Sequence, residues 1–236
     1  MESLQISAQV KKALEKVADP KQAAILQRFF KTGKGEYGEG DVFLGIKVPK
    51  QRGLVKKCKE LPLVEILYLL KSEIHEHRLV ALLILVEQFK KADEKDRKKI
   101  FDLYIKNTKH INNWDLVDLS APHIVGTFLL DKPRTILNQL VASKLLWERR
   151  IAVLSTFAFI RNNEYGDTLK IAEVLVNDEH DLIHKAVGWM LREVGKRNQA
   201  KEEQFLKKHV KKMPRTMLRY AIERFSQTKR KYYLHL

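Results

Sequence analysis

Nearly every stretch of this chain repeats its apolar residues at i, i+3 and i+4, the period of an amphipathic helix, and none alternates convincingly as a strand would. The pattern predicts helices over residues 8–17, 20–31, 49–60, 62–72, 76–91, 94–107, 133–143, 146–161, 166–177, 181–196 and 214–227. Prolines fall at starting positions (Pro20, Pro49, Pro62, Pro133 and Pro214), where a missing N–H costs a helix little, and Asp19 and Asn163 stand as polar caps. Short helices joined by short connections are therefore expected.

Pairs such as 62–72 with 76–91, and 166–177 with 181–196, recur about every 35–40 residues, the spacing of helical-hairpin solenoids of the HEAT or armadillo kind. The expected fold is all-α, an α-solenoid of HEAT-like helical hairpins, with a compact irregular bundle as the alternative. One domain is expected over 1–236: N-terminal helices to about 31, a glycine-rich loop at 32–48, repeats over 49–227 and a basic tail at 228–236. With 44% hydrophobic residues the chain can bury a substantial core. No apolar run approaches the ~18–20 residues needed to span a bilayer, and the opening Met-Glu-Ser-Leu-Gln lacks the basic flank and apolar stretch of a secretory signal. A single cysteine, Cys58, excludes an intramolecular disulfide and suits a reducing cytosol.

Charge narrows the partner. Lys and Arg number 45 against 29 acidic residues, a net charge of +16. Residues 201–236 hold eleven Lys and Arg against three acidic residues, half of that total. Such a field draws polyanions by steering and counterion release, so nucleic acid leads, and a merely soluble basic protein is the plain alternative. An anionic membrane fits less well, because no isolated Lys-rich amphipathic helix or lipidation motif is present.

The loop TGKGEYGEGDVFLGIKV (32–48) carries five of the ten glycines. It resembles a phosphate cradle only superficially, because no strand precedes it and no Gly-Lys-Ser/Thr follows; a flexible loop that can close over a ligand is expected. On 181–196, a helical wheel gathers Leu182, Ile183, Ala186, Val187, Met190, Leu191 and Val194 on one face and leaves Lys185, Trp189 and Arg192 together outside it. Two cations flanking an aromatic suit a phosphate backbone and a sugar face; equally, Trp189 can fill a gap against a neighbouring repeat. On 146–161, Arg150 shares the apolar face of Leu146, Val153, Leu154 and Phe157, where a guanidinium needs an anionic partner, either a structural carboxylate or a DNA phosphate. In INNWDLVDLSAPHIVG, Trp114 and Asp118 are four apart and so neighbours on one helical face. An aromatic face beside a carboxylate stabilises a developing cation, although Asp115 or Asp118 can equally serve as a cap or ion-pair partner.

The segments FFKTGKGEYGEGDVFLGIKVPKQR (29–52), NNWDLVD (112–118), WERRIAV (147–153) and HKAVGWMLREVGK (184–196) resemble, in order and over about residues 20–225, the bacterial DNA alkylation repair family of HEAT-like-repeat glycosylases. The resemblance implies a curved solenoid whose concave basic surface grips duplex DNA. Such a surface works as a monomer, although the oligomeric state is left open, and the expected location is the cytoplasm, at the nucleoid. The resemblance also implies excision of cationic N3- and N7-alkylated purines without flipping the lesion, by a monofunctional enzyme that uses no cofactor. The family's catalytic Asp falls on Asp118, its sugar-facing Trp residues on Trp114 and Trp189, and its phosphate-binding Arg on Arg150; Lys185 and Arg192 are expected to assist on the backbone. Two departures stand out, neither of which removes a mapped catalytic group: Asn113-Trp114 replaces the paired tryptophans of some members, and Phe29 replaces a Tyr. The glycine-rich insert around Tyr37 resembles one branch of the family and leaves the substrate range open.

Other chemistries find little support. His180 and His184 are four apart, but no third ligand accompanies them at a useful spacing, so no metal is expected. No nucleophile elbow or iron–sulfur cysteine set is present. The rival of another class is a non-catalytic HEAT-like module that binds damaged or branched DNA. Such a module needs the cations, but not a carboxylate among them.

Overall fold

In the computed structural model, which describes residues 3–236, the helical periodicity is realised as fourteen α-helices among the described residues. Met1 and Glu2, part of the stretch read for a secretory signal, lie outside the described residues. The only β-type pairing recorded there is one isolated bridge, Val42 with Ile74. No helix of the described residues is long and apolar enough to cross a membrane. The fold is an all-α helical repeat, and the chain divides into two compact units, Met1–Ser120 and Ala121–Leu236.

The first unit contains α1 (Ser7–Glu15), α2 (Pro20–Phe29), α3 (Val48–Val55), α4 (Leu63–Leu70), α5 (His75–Lys91), α6 (Glu94–Lys106) and the short α7 (Trp114–Asp118). α5 is its axis: α1, α3, α4, α6 and α7 all pack on it. Its run Leu79–Val86 is apolar all round and fully buried, which is what a helix surrounded by others requires. α2 is fixed at both ends. Asp19 accepts from the Lys21 and Gln22 N–H groups at 3.0 and 3.1 Å, ahead of Pro20 at the first helical position. At the other end Lys31 adopts φ 51°, and the Thr32 and Lys31 N–H groups close back on the Gln27 and Arg28 carbonyls.

The second unit contains α8 (Thr135–Val141), α9 (Leu146–Arg161), α10 (Gly166–Val174), α11 (Asp181–Gly195), α12 (Gln199–His209), α13 (Arg215–Ala221) and α14 (Gln227–His235). α9 packs against α8, α10 and α11, and α11 in turn against α13, so each hairpin buries its face on the next. Asn163, expected as a cap, closes the C-terminus of α9. At φ 61° it donates to the Ile160 carbonyl while Glu164 donates to that of Phe159, both at 3.0 Å.

Three helices lie outside the periodic stretches: the short α7, read as helical only from the spacing of Trp114 and Asp118, and then α12 and α14. α12 has too few apolar residues to show a stripe; it forms because Asn198 caps it and Phe205 and Leu206 bury. The stretch expected as a basic tail is helical, anchored by Tyr233 against Phe225 with ring centroids 5.7 Å apart.

Candidate active site

α7 is one and a half turns long, too short to persist by its own hydrogen bonds, and its place is set by its surroundings. Asn113 caps it, its side-chain oxygen accepting from the Trp114 N–H at 2.8 Å. Trp114 and Asp118, one helical step apart, both line a cavity of about 560 Å³ in the first unit. Its other walls are mainly apolar: Leu26 and Phe29 from α2, Phe43 and Ile46 from the glycine-rich loop, Leu79 from α5. Phe30 is stacked between Trp114 and Phe43, with centroids 5.1 and 5.0 Å away and interplanar angles of 21° and 18°. Phe29 stands edge-on to Trp114 at 5.9 Å and is 60% exposed at the rim.

The two carboxylates of α7 have different fates. Asp115 is buried and its Oδ2 lies 2.9 Å from His75 Nε2. Asp118 is half-buried at the cavity wall, and its charge helps to push the buried Tyr104 phenol upward, behind the larger effect of burial. A carboxylate against aromatic walls interacts with a neighbouring cation in a medium of lower dielectric than water, so its field is felt more strongly there.

Behind this wall lies a chain of buried charges. His75 Nδ1 is 3.1 Å from Asp41 Oδ2, and Arg78 Nη2 donates to Asp41 Oδ1 at 2.6 Å. Asn113 Nδ2 donates to Asp41 Oδ2 at 3.1 Å. Burial opposes charge on His75, but the Asp115 carboxylate and hydrogen bonds to Asp115 and Asp41 outweigh it and raise its pKa to about 9. Burial pushes Asp41 upward, yet the hydrogen bond from His75 and the Arg78 charge hold it below the usual carboxylate range. Two residues on, His77 has the opposite fate: burial, then the Lys11 and Arg78 charges, depress it to about 4. The glycine-rich loop, expected to be flexible, is tied down in part. Its second half is pinned by Asp41 and by Glu76, whose carboxylate accepts from the Leu44, Gly45 and Ile46 N–H groups at 2.8–3.0 Å.

The remaining candidates lie in the second unit, on and against α11. Trp189 is half-buried, its Nε1 donating to Glu193 at 3.2 Å and its ring 6.0 Å from Phe157. Lys185 pairs with Asp181 at 2.6 Å, and Arg192 pairs with Glu223 and lies 3.8 Å from Glu193. Arg150 is only 4% exposed, and Nη1 donates at 2.6 Å to the Leu182 carbonyl in the first turn of α11. His180 and His184 are likewise occupied: His180 Nδ1 caps α11 by accepting from the Leu182 N–H, and His184 Nε2 bonds to the Asp178 carbonyl.

The model of a family described as DNA alkylation repair enzyme matches residues 10–225. This chain belongs to that family. Among solved structures it is similar to a predicted DNA alkylation repair enzyme from Enterococcus faecalis, with a TM-score of 0.72 and 20% identity over 89% of this chain and 97% of that one; at this identity the likeness establishes the fold. No curated protein matched. Membership in the alkylation repair family gives the chain a role in the repair of alkylated DNA.

Within this family member, the charges at His75 and Asp41 were not found from sequence. A signal was present: His75-Glu76-His77-Arg78 places four ionisable residues directly before the all-apolar run of α5, and all four are buried. Ionisable groups there need partners, and Asp41 is the one acid of the loop that buries.

Proposed function

We propose that this alkylation repair protein is a DNA glycosylase that hydrolyses the N-glycosidic bond of cationic N3- or N7-alkylated purines in duplex DNA. The observation that carries the reading is the placement of Trp114 and Asp118 on the same aromatic cavity. An alkylated purine already bears a positive charge, so it leaves as a neutral base and takes the C1′–N bond electrons with no acid to assist it. What the protein must supply is stabilisation of the positive sugar and a directed water.

In this reading Asp118 faces the sugar cation and accepts a proton from the water whose oxygen bonds to C1′. Trp114 offers its ring to the deoxyribose, and Trp189, considered within the second unit alone, is the other aromatic suited to a sugar face. Arg150, Lys185 and Arg192 hold backbone phosphates. For Lys185 and Arg192 this means exchanging a carboxylate partner for a phosphate, at little cost for ion pairs near the surface. Arg150 also holds the first turn of α11 through Leu182, so its loss would disturb Trp189 as well. No group in the scheme calls for a metal or cofactor.

The test is single-turnover release of 7-methylguanine from an alkylated duplex. Wild type is expected to release the base, and Asp118→Asn to be slowed by about 100-fold or more while still binding duplex. Equal rates would remove Asp118 from the mechanism. Tight, salt-dependent duplex binding with no release by wild type would leave a non-catalytic DNA-binding module.

A further inference from the structure

The glycine-rich loop and α7 are distant in sequence yet joined through one imidazole. His75 has a carboxylate at each nitrogen, Asp41 Oδ2 at 3.1 Å and Asp115 Oδ2 at 2.9 Å. Ionised carboxylates only accept, so a ring that bonds to both must donate from both nitrogens, which only the imidazolium does. Asp115 is three residues from Asp118 in the same short helix, and the cap of that helix, Asn113, is held by the same Asp41. A second route runs in parallel: the ring of Phe43, two residues after Asp41, lies 4.4 Å from His75 at 22°, and the stack continues through Phe30 to Trp114. Both routes end on the pair that the glycosylase reading puts against the sugar.

We propose that His75, as the cation clamped between Asp41 of the glycine-rich loop and Asp115 of α7, is a positioning residue that aims Asp118 and Trp114, so that excision requires the charged imidazole. The proposal rests on the glycosylase reading. It also gives the loop a task, which is to supply the far anchor of the clamp. The charged groups that face the imidazole are Asp115 from α7, Asp41 from the loop and Arg78 from α5; Glu76, Lys47 and Asp118 line the same cavity. The ring keeps its proton through neutral pH, its pKa being raised to about 9, and gives it up above that value. With the proton gone, one nitrogen confronts a carboxylate as a lone pair, and α7 is released from one anchor.

The experiment measures single-turnover 7-methylguanine release at saturating protein over about pH 6–10, with a no-protein control at each pH, for wild type, Asp118→Asn, His75→Gln and Asp115→Asn. Duplex affinity is measured in parallel. Wild type is expected to lose rate with a midpoint near pH 9. His75→Gln should be slower at neutral pH by about 100-fold, the cost of a misplaced reacting group, with duplex affinity little changed and no alkaline limb. Asp115→Asn should move that limb to lower pH, and it carries the test if His75→Gln does not fold. ¹⁵N shifts of labelled histidine report the imidazolium independently of activity. A rate flat to pH 10, or a folded His75→Gln as fast as wild type while Asp118→Asn is inactive, would overturn the clamp and leave the glycosylase standing. No release by wild type would overturn the glycosylase reading and the clamp with it.

Discussion

Gly45 shows how closely the loop is fitted to α2. Its φ is +83°, and a Cβ built there would come within 2.1 Å of the Asp19 carbonyl oxygen and 2.6 Å of the Ala23 nitrogen, both at the start of α2. Neither atom is the yielding end of a side chain, so the turn would have to open and would loosen the Glu76 contacts to the Leu44, Gly45 and Ile46 N–H groups. Gly45→Ala is expected to cost roughly 2–4 kcal/mol, lowering the melting temperature by about 5–15 °C for a chain of this length. A thermal melt followed by circular dichroism checks it, and an unchanged midpoint would mean that the loop does not bear on α2 as described. At this scale Trp114 and Asp118 could be read from the sequence, because four residues within one helix fix a neighbour regardless of the rest of the fold. Asp41 and His75 could not. Their 34-residue separation says nothing of contact until α5 and the loop are placed, and only the buried charges of His75-Glu76-His77-Arg78 hint that partners exist.

At the scale of elements, periodicity located the helices that bury a stripe and missed those that do not. α11 was legible because Ile183, Ala186, Val187, Met190, Leu191 and Val194 all turn to the core. α12 was not, since its two core residues, Phe205 and Leu206, are adjacent and make no pattern. Arg150 was foreseen as buried, but its carbonyl contact was not, because a helix carbonyl that accepts a second hydrogen bond on its spare lone pair leaves no mark in a sequence. The packing of α11 on α13 hangs on another glycine. A Cβ at Gly188 would approach the Met217 carbonyl oxygen to 2.4 Å and the Tyr220 Cβ to 2.6 Å. Gly188→Ala must therefore push the two helices apart at the residue next to Trp189. The expected result is a loss of about 1–3 kcal/mol, the usual cost of overpacking, read as a lower urea midpoint with an unchanged slope. A variant as stable as wild type would show that the two helices can separate without penalty.

For the molecule as a whole, the net charge of +16 and the aromatic cavity make separable demands on salt. Many cations already have carboxylate partners, among them Arg134, Arg149 and Lys196, so the number of phosphates neutralised will be well below the excess of basic residues. If six or so phosphates are contacted, affinity for a duplex should fall by about 10³ between 50 and 200 mM salt, with log K linear in log salt. The chemical step should behave differently. In the proposed glycosylase reading Asp118 acts at close range from an apolar wall, and charges that close to one another are screened far less than exposed, distant ones. Single-turnover release at saturating protein should then vary by less than about threefold over the same salt range, while the protein concentration giving half-maximal rate rises in step with the loss of affinity. Fluorescence anisotropy on an undamaged duplex gives the first quantity and 7-methylguanine release the second. Arg192→Ala should reduce the salt slope by about one without altering the saturated rate, as a phosphate contact should. A saturated rate that falls as steeply as affinity would mean that the reacting sugar is held by the solvent-exposed cations, and that the cavity beside Asp118 is not where the bond breaks.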